Sequence, residues 1–412
     1  MGRIKGFALV LVLVFLTAVC ITAVKPAKAQ FTTIIVPDDY PTITAAIGNA
    51  TNGDTIFVRS GIYHEQMLDI NKSVALIGED ASNTIIELYP PSGPYGILGS
   101  WGIDNPVKIE ANDASLSNFT ITSHGSPPPA TNGGFVSATG NGIEIIGNTI
   151  NTGISAVGNE TVIANNTVTA LFLSGADQTI AQNTISGGGY GIWMEGSVND
   201  FVVKNNVTIA TTETVSSPTQ LGGNGMELRS STLNQIVANN IYADICVQID
   251  NYYDITNLQT RSSDDNIFYE NNFISSSSTF IDQVGNGNGV YSVHNIWCNG
   301  TEGNYWSDYL TRYPNATEID NSGVGDTPYV IDANNIDPYP LMAPYSSSIL
   351  NVSPVPSPSP SPTQSSSSSE QPTNSPKFQL PEPFPTATVA AASVLAVVVV
   401  AGLLVYFKKR KR

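Results

Sequence analysis

Short runs of alternating apolar and polar residues recur between residues 140 and 275 of the chain. In each unit an apolar residue is followed three positions later by Asn, and two positions after that by another apolar residue. The units are Ile145/Asn148/Ile150, Ile163/Asn166/Val168, Ile180/Asn183/Ile185, Val202/Asn205/Val207, Ile236/Asn239/Ile241 and Phe268/Asn271/Phe273. Such alternation, interrupted by Gly and Asn, predicts short strands and tight turns.

The spacing of these units predicts how the strands stack. Successive asparagines lie 18, 17, 22, 34 and 32 residues apart, and no intervening segment has a helical period long enough to cross over a sheet. A repeat of this length coils back on itself, so that each coil pairs with the next about 4.8 Å away. We therefore predict an all-β fold, a right-handed parallel β-helix over residues 30–300, with loops inserted at 211–224 and 250–265. A two-sheet sandwich is the alternative, although it would not favour Asn at a fixed offset.

The recurring asparagines are predicted to occupy the same corner of successive coils. Side-chain amides stacked in this way can hydrogen-bond along the helix axis as a ladder, and they satisfy turn backbone groups that would otherwise lack partners. The predicted ladder consists of Asn148, Asn166, Asn183, Asn205, Asn239 and Asn271.

The segment before the repeats predicts the entrance to this helix. Residues 34–43 have strand character, residues 42–50 form a short amphipathic pattern, and alternating strands follow from residue 53. We expect the short helix to cover the first coil, because an open strand edge invites pairing with other chains.

The two ends of the chain predict where the protein resides. Arg3 and Lys5 precede an apolar run that ends at the small-x-small site 27–29, which is the pattern of a secretory signal peptide over residues 1–29. An uncleaved N-terminal anchor is the alternative. Residues 387–407 are long and apolar enough to span a bilayer as a helix, and the basic residues 408–412 follow at once. Because such clusters stay on the cytoplasmic side, we predict a single-pass cell-membrane protein whose ectodomain is extracellular.

A stalk is predicted between the repeats and the membrane span. Residues 346–386 are rich in Ser, Pro and Thr and cannot bury a core, so they are expected to be extended. The sequence Pro-Glu-Pro-Phe-Pro at 381–385, together with the apolar span, resembles archaeal sorting signals of the archaeosortase type. That resemblance implies replacement of the span by a lipid as an alternative form of anchoring.

Two further segments carry a resemblance to known proteins. The order Tyr-Pro-Thr-Ile at 40–43, Gly-Asp-Thr-Ile at 53–56, Gly-x-Tyr-x-Glu at 61–65 and Leu-Ile-Gly-Glu at 76–79 resembles the opening of pectin-lyase-like right-handed β-helix proteins, including pectin methylesterases and NosD-like surface proteins. Gly-Asn-Tyr-Trp-Ser-Asp-Tyr at 303–309 and the motifs up to residue 342 resemble the end of archaeal NosD-like proteins, which implies a C-terminal cap over residues 301–345. The resemblance implies fold and surface location more firmly than activity.

Composition and charge narrow the range of partners that the protein is expected to bind. The chain has 412 residues, 12% of them charged, and a net charge of −17. Nine of its 17 basic residues lie in the two ends, where there are no acids, so residues 30–386 hold eight basic residues against 34 acids. Because nucleic-acid binding requires Lys and Arg to neutralise phosphates, a DNA or RNA partner is not expected. Cell-surface glycans and cations remain the candidate ligands. Sequons for N-glycosylation occur at Asn49, Asn71, Asn118, Asn159, Asn165, Asn206, Asn299, Asn315 and Asn351.

Enzymatic activity is a weaker candidate than binding. Glycosidases need two carboxylates facing each other across the scissile bond. Asp264-Asp265 and Ser123-His124-Gly125 superficially resemble the motifs of polygalacturonases, but they occur in the reverse order, and paired acids followed by an Arg one coil later are not recognisable. No catalytic residue is assigned. A polysaccharide lyase or glycoside hydrolase is the alternative function.

The remaining candidate functional residues are those that could bind a metal ion or stack on sugars. Copper follows from the NosD resemblance, but the His, Cys and Met residues of the mature chain do not cluster at ligand spacing. Calcium is the candidate cofactor at Asp320, Ser322 and Asp326, in an acid- and glycine-rich loop whose other interpretation is a plain turn. Tyr305, Trp306 and Tyr309 are candidates for stacking on sugars or for plugging the last coil. We therefore predict a non-catalytic surface protein that binds carbohydrate in adhesion or has a structural role in the envelope.

Overall fold

A computed structural model of the chain describes residues 31–89, 106–124, 136–187, 189–209, 223–250, 252–254, 259–275, 282–284 and 294–346. Most of its strands are short, and they form three sheets in which every pairing is parallel. The chain visits the sheets in turn, so each circuit of three strands forms one coil of a parallel β-helix. The all-β class and the parallel β-helix predicted from the repeats are confirmed.

The three sheets are named A, B and C in the order in which the chain enters them. Sheet A consists of β1 (Thr33–Val36), β2 (Thr55–Val58), β5 (Ala75–Gly78), β8 (Ser115–Ser117), β11 (Glu144–Ile146), β14 (Val162–Ala164), β17 (Thr179–Ala181), β20 (Phe201–Val203), β23 (Gln235–Val237) and β28 (Ile267–Tyr269). Sheet B consists of β3 (Gly61–Glu65), β6 (Thr84–Leu88), β9 (Thr120–Ser123), β12 (Thr149–Ile150), β15 (Thr167–Val168), β18 (Thr184–Gly187), β21 (Asn206–Ile209), β24 (Asn240–Ala243), β29 (Asn272–Ser275) and β31 (Tyr305–Trp306). Sheet C consists of β4 (Leu68–Ile70), β7 (Val107–Ile109), β10 (Val136–Ala138), β13 (Ile154–Val157), β16 (Leu171–Ala176), β19 (Tyr190–Val198), β22 (Asn224–Arg229), β25 (Ile245–Asp250) and β30 (Asp282–Val284).

The core is a set of columns of apolar side chains along the helix axis. The first apolar residues of the six sequence units are register partners on successive strands of sheet A, and all six are fully buried: Ile145, Ile163, Ile180, Val202, Ile236 and Phe268. Because side chains alternate between the two faces of a strand, every second residue points inward and the residues between them point to solvent. Burial of such a side chain stabilises the fold by roughly 1.5 to 3 kcal/mol.

A short helix, α1 (Ile43–Asn49), packs against the edge strands at the N-terminal end of the sheets. Its inward face is apolar, and Thr42 caps it by accepting a hydrogen bond from the backbone N–H of Ala45. A second hydrogen bond holds the start of the helix, because the backbone N–H of Ile43 donates to the buried Glu65 carboxylate at 2.8 Å. The helix therefore covers the first coil, at the position that the amphipathic pattern over 42–50 indicates.

The end of the described chain adds to the β-helix and closes it. Strand β31 becomes the last strand of sheet B, and it is followed by the short helix α2 (Tyr309–Arg312) and by the antiparallel pair β32 (Tyr329–Val330) and β33 (Ile336–Asp337). A second antiparallel pair, β26 (Tyr252–Asp254) and β27 (Gln259–Arg261), lies within the insertion predicted at 250–265.

The terminal segments predicted from the sequence are not among the described residues. The signal peptide (1–29), the stalk apart from residue 346, the membrane span (387–407) and the basic tail (408–412) lie outside the described residues. Within the described residues, no helix has the length and apolar character needed to cross a membrane.

Candidate functional site

One row of outward-facing side chains on sheet C combines aromatic and polar residues. The parallel register aligns Ser155, Phe172, Trp193, Glu227 and Gln248 on five successive coils. Their chain neighbours point into the core and are buried, which fixes the outward direction of the row. The row therefore runs parallel to the helix axis and changes along its length from aromatic to charged.

The aromatic part of the row lines a groove of ≈ 190 Å³. The groove is lined by Ser155, Val157, Phe172, Leu173, Ser174, Trp193 and Glu195. Val157 is half-exposed, and the ring centroids of Phe172 and Trp193 lie 6.4 Å apart. An apolar wall with hydroxyl and carboxylate groups at its rim is typical of a site that binds a small or chain-like ligand.

A β-bulge shapes one end of this groove. The pairing of β16 with β19 shifts register between Leu173 and Gly175, because β19 has one extra residue there. The bulge lies beside Glu195, an exposed residue, and Gly196, whose φ of 69° favours glycine. Bulges are common beside functional sites, and here the bulge lies next to the Glu195 carboxylate in the groove lining.

Trp193 is held in place by neighbours on both sides. The ring of Tyr190 packs edge-on against it with centroids 4.8 Å apart, and the guanidinium carbon of Arg229 lies 4.7 Å from its ring centroid. A cation this close to an indole face is attracted by the ring electrons. The indole is therefore preorganised as one wall of the groove.

Beyond Trp193, the outer side of sheet C holds a polar cluster of Asn224, Glu227, Arg229, Gln248 and Asp250, in which Asn224 and Glu227 are buried. The Glu227 carboxylate accepts from Arg229 Nη2 at 2.9 Å and from Asn224 Nδ2 at 3.0 Å. Asn224 Nδ2 also donates to Gln248 Oε1 at 3.0 Å, and Gln248 Nε2 donates to Asp250 Oδ2 at 2.7 Å. These bonds join residues of β22 and β25 into one network across two coils.

Burial disfavours the charged forms of the two carboxyl groups in this cluster. Desolvation raises the pKa of the Glu227 carboxyl, and the hydrogen bond from Asn224 and the charge of Arg229 lower it only in part. Desolvation likewise raises the pKa of Asp250, against the hydrogen bond from Gln248 and the charge of Arg229. Asn224 is 4% exposed, and its Oδ1 atom has no hydrogen-bond partner among the described residues. A buried acceptor without a donor is costly, so the cluster is incomplete as it stands.

A second cluster lies on the outer face of sheet B. His64 and Glu87 are register partners, and the two Glu87 oxygens lie 2.9 Å from His64 Nδ1 and 3.0 Å from His124 Nδ1. The Tyr89 hydroxyl donates to Glu87 at 3.2 Å, and its ring stacks on His124 with centroids 4.1 Å apart. The hydrogen bond from His124 is the largest of the effects that lower the pKa of Glu87.

The six predicted ladder asparagines lie stacked on consecutive coils. From Asn166 onward, each Oδ1 accepts from both the backbone N–H and Nδ2 of the asparagine one coil before it, at 2.9 to 3.1 Å, whereas Asn148 Oδ1 accepts from the backbone N–H of Phe119. The stack continues past the prediction: Asn271 donates to Asn304, and Asn304 donates to the buried carboxylate of Asp337. The ladder therefore ends on an acid, at the C-terminal cap.

A second ladder, which the sequence pattern did not reveal, lies at the corner between sheets C and A. The backbone N–H groups of Asp200, Asn234, Asn266 and Asn295 each donate to the side chain one coil on, ending at Asn335. A sequence signal existed, because each of the first three residues stands two positions before the first apolar residue of a repeat unit. The residue type at this position varies from coil to coil, so the repeat is not evident from the sequence.

The aromatic candidates form a plug and not a sugar platform. Trp306 is fully buried and stacks on Tyr329 with centroids 4.3 Å apart, and its indole N–H donates to Asp337 at 3.0 Å. Tyr309 is 1% exposed, and its hydroxyl donates to the carbonyl of Thr327. Tyr305 is half-buried beside them. Neither the Trp306 ring nor the Tyr309 ring has a face exposed to solvent, as expected of residues that plug the last coil.

The calcium candidates serve the turn in which they lie. The Asp326 carboxylate accepts from the backbone N–H and hydroxyl of Thr317, and these bonds lower its pKa. The Ser322 hydroxyl donates to the carbonyl of Ile319, and Asp320 has a φ of 48°. Within the described residues, no group of three or more His, Cys, Asp or Glu side chains is placed to hold a metal ion.

The sheet C site could not be found from the sequence, because its members are scattered. Glu227 and Gln248 are neighbours only through the register of β22 with β25, and Trp193 meets Arg229 only through the register of β19 with β22. The coil lengths that set this register differ from one another. The alternation in Gly191-Ile-Trp-Met194 and Gly225-Met-Glu-Leu228 was the available signal for outward Trp193 and Glu227.

Comparison with known proteins identifies one family that the sequence matches and several solved structures that the fold distantly resembles. The sequence matches the model of one protein family, described as periplasmic copper-binding protein (NosD), over residues 47–311, more than half of the chain. No curated protein matches the chain.

Several solved structures resemble the chain, and three of them are described here. A pectin methylesterase in complex with a hexasaccharide is 14% identical, with a TM-score of 0.33, over 63% of this chain and 94% of that one. The A-module of a mannuronan C-5 epimerase from Azotobacter vinelandii is 14% identical, with a TM-score of 0.31, over 64% and 86%. A pectin methylesterase from Erwinia chrysanthemi is 12% identical, with a TM-score of 0.30, over 64% and 99%. At these scores the likeness says nothing about the function of this chain.

The described residues do not fit the copper that the family description names. His64 and His124 turn Nδ1 toward opposite oxygens of Glu87, so the three donors do not converge on one point. Met194, Met226 and Cys246 are fully buried in the apolar core. Copper sites require imidazole, thiolate or thioether ligands gathered around one position, and this part of the chain does not gather them.

Proposed function

Because the chain belongs to the NosD family and its β-helix carries an aromatic groove on sheet C, we propose that it binds glycans at a cell surface without cleaving them. In this proposal a glycan chain lies along the helix axis on sheet C. The apolar faces of its sugars rest against Trp193 and Phe172, and its hydroxyl groups bond to the polar residues of the groove rim.

The observation that carries the proposal is the preorganised indole of Trp193 beside hydrogen-bonding groups. Sugars have apolar C–H faces and polar edges, so an aromatic side chain bordered by hydroxyls and carboxylates complements both. Ser155 and Ser174 supply hydroxyls, and Glu195 supplies an exposed carboxylate. The spacing of coils, about 4.8 Å, is comparable with the length of one sugar unit, so consecutive sugars can meet consecutive rungs.

The test is binding of the full chain, purified in detergent, to a panel of oligosaccharides by glycan array and isothermal titration. Trp193→Ala should weaken binding at least about tenfold, since buried aromatic anchors commonly contribute 2 kcal/mol or more. Phe201→Ala removes an exposed aromatic side chain from sheet A and is the matched control. Equal loss in both variants, or no binding to any glycan, would overturn the proposal.

Glycan cleavage is a second candidate, favoured by Glu227 and Asp250. They lie on neighbouring coils, and burial raises the pKa of both, as a general acid requires. Against this role, both Glu227 oxygens are already bonded, one to Arg229 and the other to Asn224. Release of reducing or unsaturated ends from the same panel, abolished in Glu227→Gln, would replace the binding-only proposal with this one.

We also propose that the protein is held at the outer face of the cell membrane by residues 387–407, with residues 346–386 as a stalk. The apolar span followed by five basic residues supports this topology. Protease treatment of intact cells should release the β-helix while the tail stays with the membrane. Recovery of the intact chain in the soluble fraction would contradict it.

A further inference from the structure

Among the described residues that line the sheet C groove, Glu195 alone is charged. The others are apolar or carry a hydroxyl: Ser155, Val157, Phe172, Leu173, Ser174 and Trp193. Glu195 is exposed, and its carboxylate forms no hydrogen bond or ion pair with another described residue. The groove wall therefore carries one negative charge that no basic residue of the lining offsets.

The register of the coils explains why this carboxylate has no cationic partner. Glu195 stands opposite Arg229 on the next coil, which is the position that a cross-strand ion pair would use. Arg229 is engaged elsewhere, because its Nη2 donates to the buried Glu227 at 2.9 Å and its guanidinium carbon lies 4.7 Å from the Trp193 ring centroid. The basic residue nearest in register is thus held by a different acid, and the Glu195 carboxylate is left for a ligand.

Two serine hydroxyls accompany this carboxylate in the groove. Ser155 lies on β13 and Ser174 on β16, and neither hydroxyl is hydrogen-bonded to another described residue. A hydroxyl both donates and accepts hydrogen bonds, whereas a carboxylate only accepts them. The polar part of the lining is therefore richer in acceptors than in donors, and it favours a ligand that brings O–H groups.

Sugar hydroxyls meet this requirement, and their geometry suits a carboxylate. Hydrogen bonds from O–H groups to an ionised carboxylate are roughly twice as strong as those between neutral groups. The two oxygens of one carboxylate can accept from both hydroxyls of a vicinal diol. A uronate or a sulfated sugar would bring a second negative charge beside Glu195, and like charges placed together in a binding site repel each other.

We propose that the groove selects uncharged sugars, that Glu195 accepts hydrogen bonds from a vicinal diol of the bound sugar, and that uronates and sulfated glycans are rejected. The Ser155 and Ser174 hydroxyls bond to the remaining hydroxyl groups of the sugar. Glu195 is then a specificity-determining residue that attracts one class of glycan and repels the other. This specificity rests on the proposed glycan-binding function and adds the class of glycan to it.

The experiment compares tetramers that differ only at C6. The full chain in detergent is titrated at neutral pH with cellotetraose, β-1,4-mannotetraose and β-1,4-galactotetraose, and with the same tetramers oxidised at C6 to the uronate. We expect at least one uncharged tetramer to bind about tenfold or more tightly than its uronate form, a difference that added salt should narrow by screening the repulsion. The 2,3-di-O-methyl derivative of that tetramer should also bind about tenfold more weakly, because a methyl ether has no O–H to donate.

Substitutions at Glu195 locate the effect. Glu195→Gln keeps the size of the side chain and removes its charge, so it should weaken binding of the uncharged tetramer by about threefold to tenfold and strengthen binding of the uronate. Glu195→Lys should reverse the preference. Glu144→Gln removes an exposed carboxylate from sheet A and should change neither affinity. Circular dichroism of each variant establishes that the fold is retained.

The outcomes separate the two proposals. If the uronates bind as tightly as the uncharged tetramers, and Trp193→Ala still weakens binding, the selection of uncharged sugars is overturned and glycan binding stands. If the preference for uncharged tetramers is the same in Glu195→Gln and Glu195→Lys as in the wild type, Glu195 is not its origin and the proposal is wrong. If no tetramer of either kind binds, both proposals fail.

Discussion

The backbone N–H of Asp200 donates to the side-chain oxygen of Asn234 at 2.8 Å, one coil further along the second ladder. Asp200 itself accepts from the backbone N–H of Gln178 at 2.9 Å through Oδ1. It thus occupies a rung that Asn fills on the following coils, but it brings a carboxylate. Burial raises its pKa to about 6.

Asp200→Asn should stabilise the protein at neutral pH. The amide keeps the acceptor for Gln178 and removes a buried charge. Because the pKa is raised from 3.8 in the unfolded chain to about 6 in the fold, the wild type loses stability as pH rises from about 4 through 6. Above pH 7 the variant should gain about 2 to 3 kcal/mol in free energy of unfolding, and near pH 4 almost nothing. Urea denaturation at the two pH values measures this, and an equal gain at both would contradict the electrostatic cause.

The same substitution at the end of the first ladder should have the opposite sign. The Asp337 carboxylate accepts from the backbone N–H and Nδ2 of Asn304, from the indole N–H of Trp306 and from the backbone N–H of Tyr339. An Asn amide would turn one N–H group toward these donors. Asp337→Asn should therefore lower the free energy of unfolding at pH 8 by about 2 kcal/mol or more, in the same urea assay. A stabilised variant would show that burial of the charge outweighs the four donors.

Loss of one asparagine from the interior of the first ladder should lower the free energy of unfolding substantially. Asn183→Ala removes the acceptor for Asn166 and the donor to the carbonyl of Ile163, all of them buried. Two or more unsatisfied polar groups should cost about 3 to 5 kcal/mol, measured by thermal or urea denaturation. Asn151→Ala, an exposed position whose side chain donates to the Thr122 hydroxyl at 3.0 Å, is the control and should change stability by less than about 0.5 kcal/mol. Similar losses in the two variants would mean that the ladder adds no special stability.

Position 303 requires glycine because it lies very close to Asp337, the residue that ends the first ladder. A Cβ atom at this position would overlap the Asp337 carboxylate. Gly303→Ala should therefore destabilise the cap, with a drop in thermal midpoint and greater exposure of Trp306 in fluorescence. Gly48→Ala, in α1, meets no atom within 4 Å and should be neutral or stabilising by up to about 1 kcal/mol. A tolerated Gly303→Ala would show that the cap can move away from the added methyl group.

The extent to which the sequence predicted the site differs sharply between its parts. The first ladder was readable because Asn183 and its counterparts stand at one fixed offset from a buried apolar residue. The second ladder was hidden, since Asp200 and Asn234 differ in type. The burial of Trp306 was left open against stacking on sugars, because an aromatic motif alone does not say whether its ring is covered.

The sequence by itself determined the parallel β-helix, because stacked coils bury the apolar residues of each unit and let the Asn at each corner satisfy turn backbone groups. It also determined the acidic charge of the body. Only the tertiary structure decided that Trp193, Glu227 and Asp250 share one surface. That proximity depends on the register between coils of unequal length, and register is set by packing across the stack and not by any local pattern.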